Sequence, residues 1–578
     1  MTLAIDDAEA SRRMKIGGRR LWLAAAMAGS ALTAAGAAHA DEAACKALNG
    51  QAYPASAMSL PSAGAVINSA DWVAAKPNFG AYCKLQGQIN SVDPKATPIL
   101  FEINLPADWN KKVMQEGGGG LNGVLVQATG ILRDAPPGSA PLAHGYATLG
   151  TDGGHPNLKP EIGVFYLNAE EFVNNAYGAN KKAHDLAWVV LNSYYGEKPQ
   201  RSYFFGGSEG GRQAMVGVEK YPQDYDGVVA VVPALNSTAN NLAKYNAWQA
   251  ILNDGWLSKA KLQFLQKATN DQCDAMDGVK DGVVSRYVGC LAVFNYAKLR
   301  CADGKDTGDD CLSDKQITAV KTWRNPYKLP VAMKNGMTVY PGWSVGGEAL
   351  PGSVNPWIVL DTREDSTDAG TAINASQSVR YGVTENADYR GPIDFKKYAD
   401  RIKFVSNLMD QTNPDLSGFL ARGGKLIVKE NTADYAVSPY GVFDFFKQVS
   451  AKMGAAKTHG FIRIFVNPGV NHGGSGLRAD GTAVPDKVDL LAELDKWVDG
   501  GPAPEQRTVT SYSREGQAQA SKPLCQYPMY PRYKAGDAND AASFTCTPLP
   551  AAGPAKAPIK AVKTAKAETA AKPAAKKG

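Results

Sequence analysis

The run Tyr203-Phe204-Phe205-Gly206-Gly207-Ser208-Glu209-Gly210-Gly211-Arg212-Gln213-Ala214-Met215 constrains this chain more than any other segment. Its apolar start reads as a buried strand and the residues after Ser208 suit a helix, so the serine sits on a sharp strand-to-helix turn. Such a turn strains the backbone of its central residue and requires small residues two before and two after it, places taken by Gly206 and Gly210. In a chain with 59 glycines G-x-S-x-G alone could be an ordinary glycine-rich turn; between a strand and a helix it points to a nucleophile on an open α/β sheet.

A serine nucleophile needs a base and an orienting carboxylate, which in this architecture follow in the order Asp or Glu, then His. After residue 40 the histidines are His144, His155, His184, His459 and His472. Only the last two follow in the required order. His472 lies in Pro468-Gly469-Val470-Asn471-His472-Gly473-Gly474, just past the apolar run Phe461 to Val466, whereas His459 precedes that run and reads as a surface residue. Asp434 follows the run Lys425 to Val428, which places it on the same sheet edge as His472; Glu430 and Asp444 are its nearest competitors.

The oxyanion formed in such chemistry needs two backbone donors, one of them from the residue after the nucleophile, Glu209. The second is expected from a glycine-rich loop after an earlier strand, and Glu116-Gly117-Gly118-Gly119-Gly120-Leu121-Asn122-Gly123 is such a loop; otherwise it is a flexible linker. It lacks the lysine of a phosphate-binding loop, so nucleotide binding is not expected. A third constellation, Asp274, Asp277 and Asp281 among glycine turns, suits a hard cation with oxygen ligands, most simply Ca2+, without the spacing of an EF-hand. Its plain alternative is a solvated acidic turn.

Short β-rich runs alternate with helical patterns from about residue 104 to 233 and again after 416, which predicts βαβ units and a mostly parallel sheet. Residues 41–233 and 416–550 thus form two parts of one α/β core. Between them, residues 234–415 lose the alternation but hold four of the eight cysteines and five of the ten tryptophans, including Trp343 and Trp357, and read as an inserted lid domain. The even cysteine count without C-x-x-C predicts disulfides, by proximity Cys45–Cys83, Cys273–Cys290, Cys301–Cys311 and Cys525–Cys546.

The formal charge of +6 invites a nucleic-acid reading, but residues 1–40 carry +2 and residues 551–578 carry +6. Subtracting both from +6 leaves −2 for the body, so no nucleic-acid partner is expected. Residues 1–40 read as a signal peptide, with a basic start, an apolar run from Leu21 to about Leu32 and the small-residue site Ala38-His39-Ala40. The run is short for a membrane span, and an uncleaved anchor is the alternative. Ser11-Arg12-Arg13-Met14-Lys15 loosely matches a twin-arginine signal, which leaves the export route open. The expected location is periplasmic or extracellular. Residues 551–578, rich in Ala, Lys and Pro, read as a disordered tail.

Together these elements resemble the tannase and feruloyl esterase family of α/β-hydrolases, on Leu105 to Asn110, Glu116 to Gly123, Thr151-Asp152-Gly153-Gly154-His155, the Ser208 turn, Asp274 to Val283 and Pro468 to Gly474. The resemblance implies an α/β-hydrolase fold with an inserted lid, a triad at Ser208, Asp434 and His472, and oxyanion donors at Gly120 and Glu209. It also implies a structural calcium bound by Asp274, Asp277, Asp281 and the carbonyls of Val279 and Val283. The implied activity is hydrolysis of esters of aromatic acids, feruloyl, galloyl or related. A mono(2-hydroxyethyl) terephthalate hydrolase, an acyltransferase and a non-catalytic protein on the same scaffold stay open as alternatives. Two departures stand out: family members carry cysteines where this chain has Gly207 and Gly473, and a Tyr-His-Gly run where it has Lys429-Glu430-Asn431, a change expected at the pocket wall. Arg380 is a candidate partner for a free substrate carboxylate.

Overall fold

A computed structural model describes residues 40–350 and 370–550, apart from 78, 157, 159 and 160. The expected signal peptide (except Ala40), the expected tail and Trp357 lie outside the described residues.

The chain begins with β1 (Ala52–Tyr53), β2 (Ala65–Val73), β3 (Tyr82–Ile89) and β4 (Ile99–Pro106). Then come β5 (Lys112–Glu116), β6 (Ala147–Thr151), β7 (Arg201–Gly207) and β8 (Gly227–Val231). Among the described residues a long insertion carries only the two short strands β9 (Tyr327–Lys328) and β10 (Val339–Tyr340). The core resumes with β11 (Lys425–Asn431), β12 (Ile462–Asn467), β13 (Arg507–Tyr512) and β14 (Ala518–Gln526), followed by the hairpin β15 (Met529–Tyr533) and β16 (Phe544–Pro548). Twelve of these strands form one sheet in the order β1-β2-β3-β4-β6-β5-β7-β8-β11-β12-β14-β13.

The six strands from β6 to β12 are parallel, as the alternating pattern predicts. The sheet as a whole is nevertheless mixed: β1 to β4 join it as an antiparallel meander, and β14 and β13 close the other edge antiparallel. The burial pattern explains the difference. β3 alternates between buried and half-buried residues, as a strand with one covered face does, while β8 is buried throughout because helices cover both its faces.

Successive residues of the central strands feed opposite layers. Phe204, Val228, Ala230, Leu426 and Val428 pack under the helices Glu209–Lys220 and Pro439–Met453, through Met215, Val218, Phe445 and Phe446. Tyr203, Phe205, Val229, Val231 and Ile427 point the other way, against Leu490, Leu491, Leu494 and Trp497 of the helix Leu490–Val498.

The segment between β8 and β11 is mainly helical and builds its own core. Trp343 belongs to that core: it is 1% exposed and stacks on Trp323 with ring centroids 4.1 Å apart. The disulfides Cys273–Cys290 and Cys301–Cys311 staple this region, Cys45–Cys83 ties the N-terminal helix to β3, and Cys525–Cys546 links β14 to β16. All four pairs are those expected from sequence proximity.

Candidate active site

Ser208 sits between the end of β7 and the helix Glu209–Lys220 with φ 61° and ψ −118°, a backbone conformation that strains any residue bearing a Cβ. The two glycines expected around it are required by space. A Cβ on Gly206 would collide with the Gly210 carbonyl, and one on Gly210 would come within 2.7 Å of the Gly117 oxygen. The strain lifts the Ser208 side chain off the sheet edge, at the N-terminus of a helix whose dipole favours negative charge.

β11 and β12 are parallel neighbours in register Asn431 to Asn467, so the loops that follow them emerge side by side. Backbone hydrogen bonds join them: Thr432 donates to Asn467 and Ala433 donates to Val470. Asp434 and His472 are thereby brought together across 38 residues of sequence. His472 Nδ1 lies 2.6 Å from Asp434 Oδ2, and His472 Nε2 lies 2.8 Å from Ser208 Oγ. The other Asp434 oxygen accepts the amides of Ala436 and Val437 at 2.7 and 2.9 Å, which fixes the carboxylate plane. In this arrangement the imidazole can take the serine proton at Nε2 while its Nδ1 proton is held.

The competing residues are elsewhere. His459 is exposed on the helix Ala455–Phe461, and Asp444 pairs with Lys447 on the helix Pro439–Met453. Glu430 is fully buried in β11, and neither of its oxygens has a hydrogen-bond partner among the described residues. Burial, reinforced by the neighbouring Asp434 charge, pushes its carboxyl well above the ordinary value.

The four-glycine loop is anchored and does not behave as a linker. Gly117 donates to Phe205 O, Gly118 donates to Gln213 Oε1 at 3.1 Å, and Gly123 donates to Asp152 O. The carbonyl of Leu121 accepts from His155 Nε2 at 2.9 Å and from Asn175 Nδ2 at 3.0 Å. Gly118 has no room for a side chain, because Asn122 Oδ1 fills that space. Gly120, with φ 65°, and Glu209 line the same cavity as Ser208 and His472. The Glu209 side chain turns away from it to a fully buried ion pair with Arg212, whose guanidinium also donates to the carbonyls of Ala176 and Asn175.

The cavity measures about 280 Å³, near the lower limit of small-molecule sites, roughly 300 Å³. Leu121, Ala234, Ala436 and Val437 supply apolar walls, and the helix Ser237–Ala250 presents Ser237, Asn240, Asn241 and Lys244. These four polar residues are the part of the site that motif reading missed. Their spacing of i, i+3, i+4 and i+7 in a segment otherwise rich in apolar residues was the available signal.

Two expectations about the surroundings need correction. Lys429, Glu430 and Asn431 do not form the pocket wall; they extend β11 beyond the run read from sequence and are fully buried. Their burial is possible because Lys429 Nζ reaches Asp134 at 2.6 Å and Asn431 Oδ1 at 2.9 Å. Arg380 is turned to Glu161 and the carbonyl of Ala387, away from the described cavity lining. At Gly207, one of the two departures from the resembled family, the space a side chain would need is filled by the stem and guanidinium of Arg133.

The acidic loop is compact. Asp274 accepts from Gly282 N, Asp277 Oδ1 from Val279 N, and Asp281 Oδ1 from Val283 N, while Lys522 Nζ lies 2.6 Å from Asp281 Oδ2. Asp277 Oδ2 is buried with no donor among the described residues. Burial pushes Asp277 up to about 6 and raises Asp274 as well. Three carboxylates against one ammonium leave two negative charges, a donor set that suits a divalent cation with oxygen ligands. His184, Asp185 and Asp224 also cluster, but Lys181 Nζ lies 2.8 Å from both carboxylates and supplies the positive charge there.

A profile of the family described as tannase and feruloyl esterase matches residues 83–547. The chain is 34% identical over 524 residues to an uncharacterized esterase of Agrobacterium fabrum, with 87% of this chain and 92% of the relative covered. It is 31% identical over 581 residues to the mono(2-hydroxyethyl) terephthalate hydrolase of Piscinibacter sakaiensis, covering 88% and 92%. Among solved structures, feruloyl esterase B from Aspergillus oryzae has the same fold, with a TM-score of 0.69 at 23% identity over 87% of this chain and 99% of that one. Since the matched profile spans most of the chain and brings with it the glycine loop, the strained serine and both loops past β11 and β12, the chain is a carboxylic ester hydrolase and belongs to the tannase and feruloyl esterase family.

Proposed function

We propose that the protein is an exported serine ester hydrolase that cleaves esters of aromatic acids, feruloyl, galloyl or related, through an acyl-enzyme. The observation that carries this reading is the continuous hydrogen-bonded series from Asp434 Oδ2 through His472 to Ser208 Oγ, ending on a strained serine inside a cavity. His472 Nε2 takes the Ser208 proton as Oγ attacks the ester carbonyl, and the oxyanion that forms is bound by the amides of Gly120 and Glu209. The tetrahedral intermediate collapses, the carbon–oxygen bond to the alcohol breaks, and His472 returns its proton to the leaving oxygen. Water then attacks the acyl-enzyme with His472 as base, and the acid is released.

Four disulfides support export, since such bonds persist in oxidising compartments. The donor set of Asp274, Asp277 and Asp281 with the carbonyls of Val279 and Val283 is proposed to hold a structural Ca2+. The test of the activity is Ser208→Ala. Folded variant protein is expected to lose at least about 1,000-fold in kcat on a feruloyl or galloyl ester and to lose labelling by a fluorophosphonate probe. Turnover at the wild-type rate would show that the nucleophile is another residue, and wild-type protein that neither hydrolyses any ester nor is labelled by the probe would favour a non-catalytic role.

A further inference from the structure

Ser237, Asn240, Asn241 and Lys244 occupy one face of the helix Ser237–Ala250, and all four line the cavity that holds Ser208 and His472. The rest of the helix packs into the insertion's own core through Ala239, Leu242, Ala247 and Trp248. The helix is therefore buried on its apolar side and turns a polar stripe to the reacting serine.

Two members of the stripe have protein partners for their side chains. Asn240 donates to Ala436 O and accepts from Tyr340 Oη, and Asn241 donates to Ser378 Oγ. Lys244 differs. It is only 5% exposed, and among the described residues its Nζ makes no hydrogen bond or ion pair. Among the described residues the one charge that acts on it is that of Asp434, whose two oxygens are occupied by His472 and by the Ala436 and Val437 amides. Burial accordingly holds the Lys244 ammonium down to about 8, against the pull of Asp434. A buried cation without a counter-charge is unfavourable unless something that enters the cavity supplies one.

We propose that Lys244 is an anion-recognising residue of the substrate pocket, and that the preferred substrates are aromatic esters that carry a free carboxylate. The inference rests on the esterase reading of Ser208 and names the substrate class within it. A carboxylate neutralises Lys244 in place, whereas the neutral phenols of a feruloyl or galloyl ring leave its charge uncompensated. The carboxylate can belong to the acid, as in a monoester of an aromatic dicarboxylic acid, or to the alcohol, as in chlorogenate.

The test compares matched pairs. Monomethyl terephthalate is set against methyl 4-carbamoylbenzoate for the acid side, and chlorogenate against its methyl ester for the alcohol side. In at least one pair, wild-type kcat/KM is expected to favour the carboxylate by about tenfold or more, carried mainly by KM. Lys244→Met should collapse that ratio to within about twofold, and Lys244→Arg should retain it. A direct readout uses no turnover: terephthalate titrated calorimetrically into the wild-type protein binds, and its affinity falls at least about tenfold in Lys244→Met. No carboxylate preference in either pair, or a Lys244→Met variant that loses both members of a pair equally, would overturn the proposal while leaving the esterase reading of Ser208 intact. If no ester is hydrolysed and the fluorophosphonate probe does not label Ser208, the esterase reading itself fails and the proposal falls with it.

Discussion

Asp434 has no freedom to exchange partners. One oxygen is fixed by the amides of Ala436 and Val437, the other faces His472 Nδ1 at 2.6 Å, and the residue is fully buried. Asp434→Asn keeps the shape but replaces an acceptor with an amide, which favours the wrong imidazole tautomer and removes the charge that stabilises imidazolium. On the proposed mechanism kcat should fall by about 10,000-fold, the size of the corresponding effect in a serine protease, with KM changed by no more than a few-fold; a loss under about tenfold would reassign the orienting group. Glu430 cannot substitute, because it touches neither ring nitrogen, and burial reinforced by the Asp434 charge disfavours its ionised form. At this scale much was legible in the sequence. Ser208, Asp434 and His472 are marked by residue type, order and position after apolar runs, and the structure brings them into contact. Lys244 carries no such mark, since a lone lysine in a helix looks solvated; only the neighbouring layers reveal that it faces a cavity.

Elements were legible where their pattern is local and obscure where their stability is not. The helix Ala179–Tyr195 and the central strands follow from their apolar runs. The last three residues of β11, Lys429-Glu430-Asn431, fall outside the run read from sequence because charged residues seldom finish a buried strand; what permits it is Asp134, far away in sequence. The polar-striped helix has a similar remote support. Asp410, fully buried, accepts the amide of Thr238 at 2.8 Å in the first turn of the helix and also accepts from Ser406 Oγ. Burial nevertheless pushes Asp410 up to about 6, the Thr238 and Ser406 donors offsetting only part of the effect. A carboxyl whose pKa is higher in the folded than in the unfolded chain stabilises the fold most below the unfolded value of 3.8, and that contribution is lost as pH rises to about 6. Asp410→Asn removes the titration but keeps an acceptor for Thr238. The stability of the variant relative to wild type should therefore rise between pH 4 and pH 7 by up to about 3 kcal/mol, measured by denaturant unfolding at each pH. A difference that stays flat or falls over that interval would mean that folding does not raise the Asp410 carboxyl.

For the molecule as a whole, the acidic loop joins parts of the chain that are far apart in sequence. It follows Cys273, which is bonded to Cys290, so the loop is closed from behind by a disulfide. Asp281 meets Lys522 of β14, and its carbonyl accepts from Ala479 N at 2.9 Å, in the loop that follows His472. Val283 packs against Val470 and Val484, and its side chain also fills the space beside Gly469 at the base of that loop. Without a cation, Asp281 has an ammonium partner, but Asp274 and Asp277 have only backbone amides, and one Asp277 oxygen has no donor among the described residues. Their mutual repulsion then acts on the segment that positions the imidazole. If this loop holds calcium, removing the ion lowers both stability and turnover. A ligand at a thousandfold excess over its Kd contributes about 4 kcal/mol to the folded state, so chelation with EGTA should lower Tm by several degrees. It should also reduce kcat more than it raises KM, because the His472 loop loses its backing while the cavity walls on the helix Ser237–Ala250 do not touch the ion. Restoring calcium should recover both quantities, and magnesium should do so poorly, given its demand for a smaller octahedral shell. Replacing both Cys273 and Cys290 with serine frees the rear of the loop, and the variant should need more calcium to reach the same Tm. Protein that contains no calcium by metal analysis and keeps its Tm and kcat in EGTA would instead make the Asp274 to Val283 loop an acidic turn held by Lys522 and its own backbone amides.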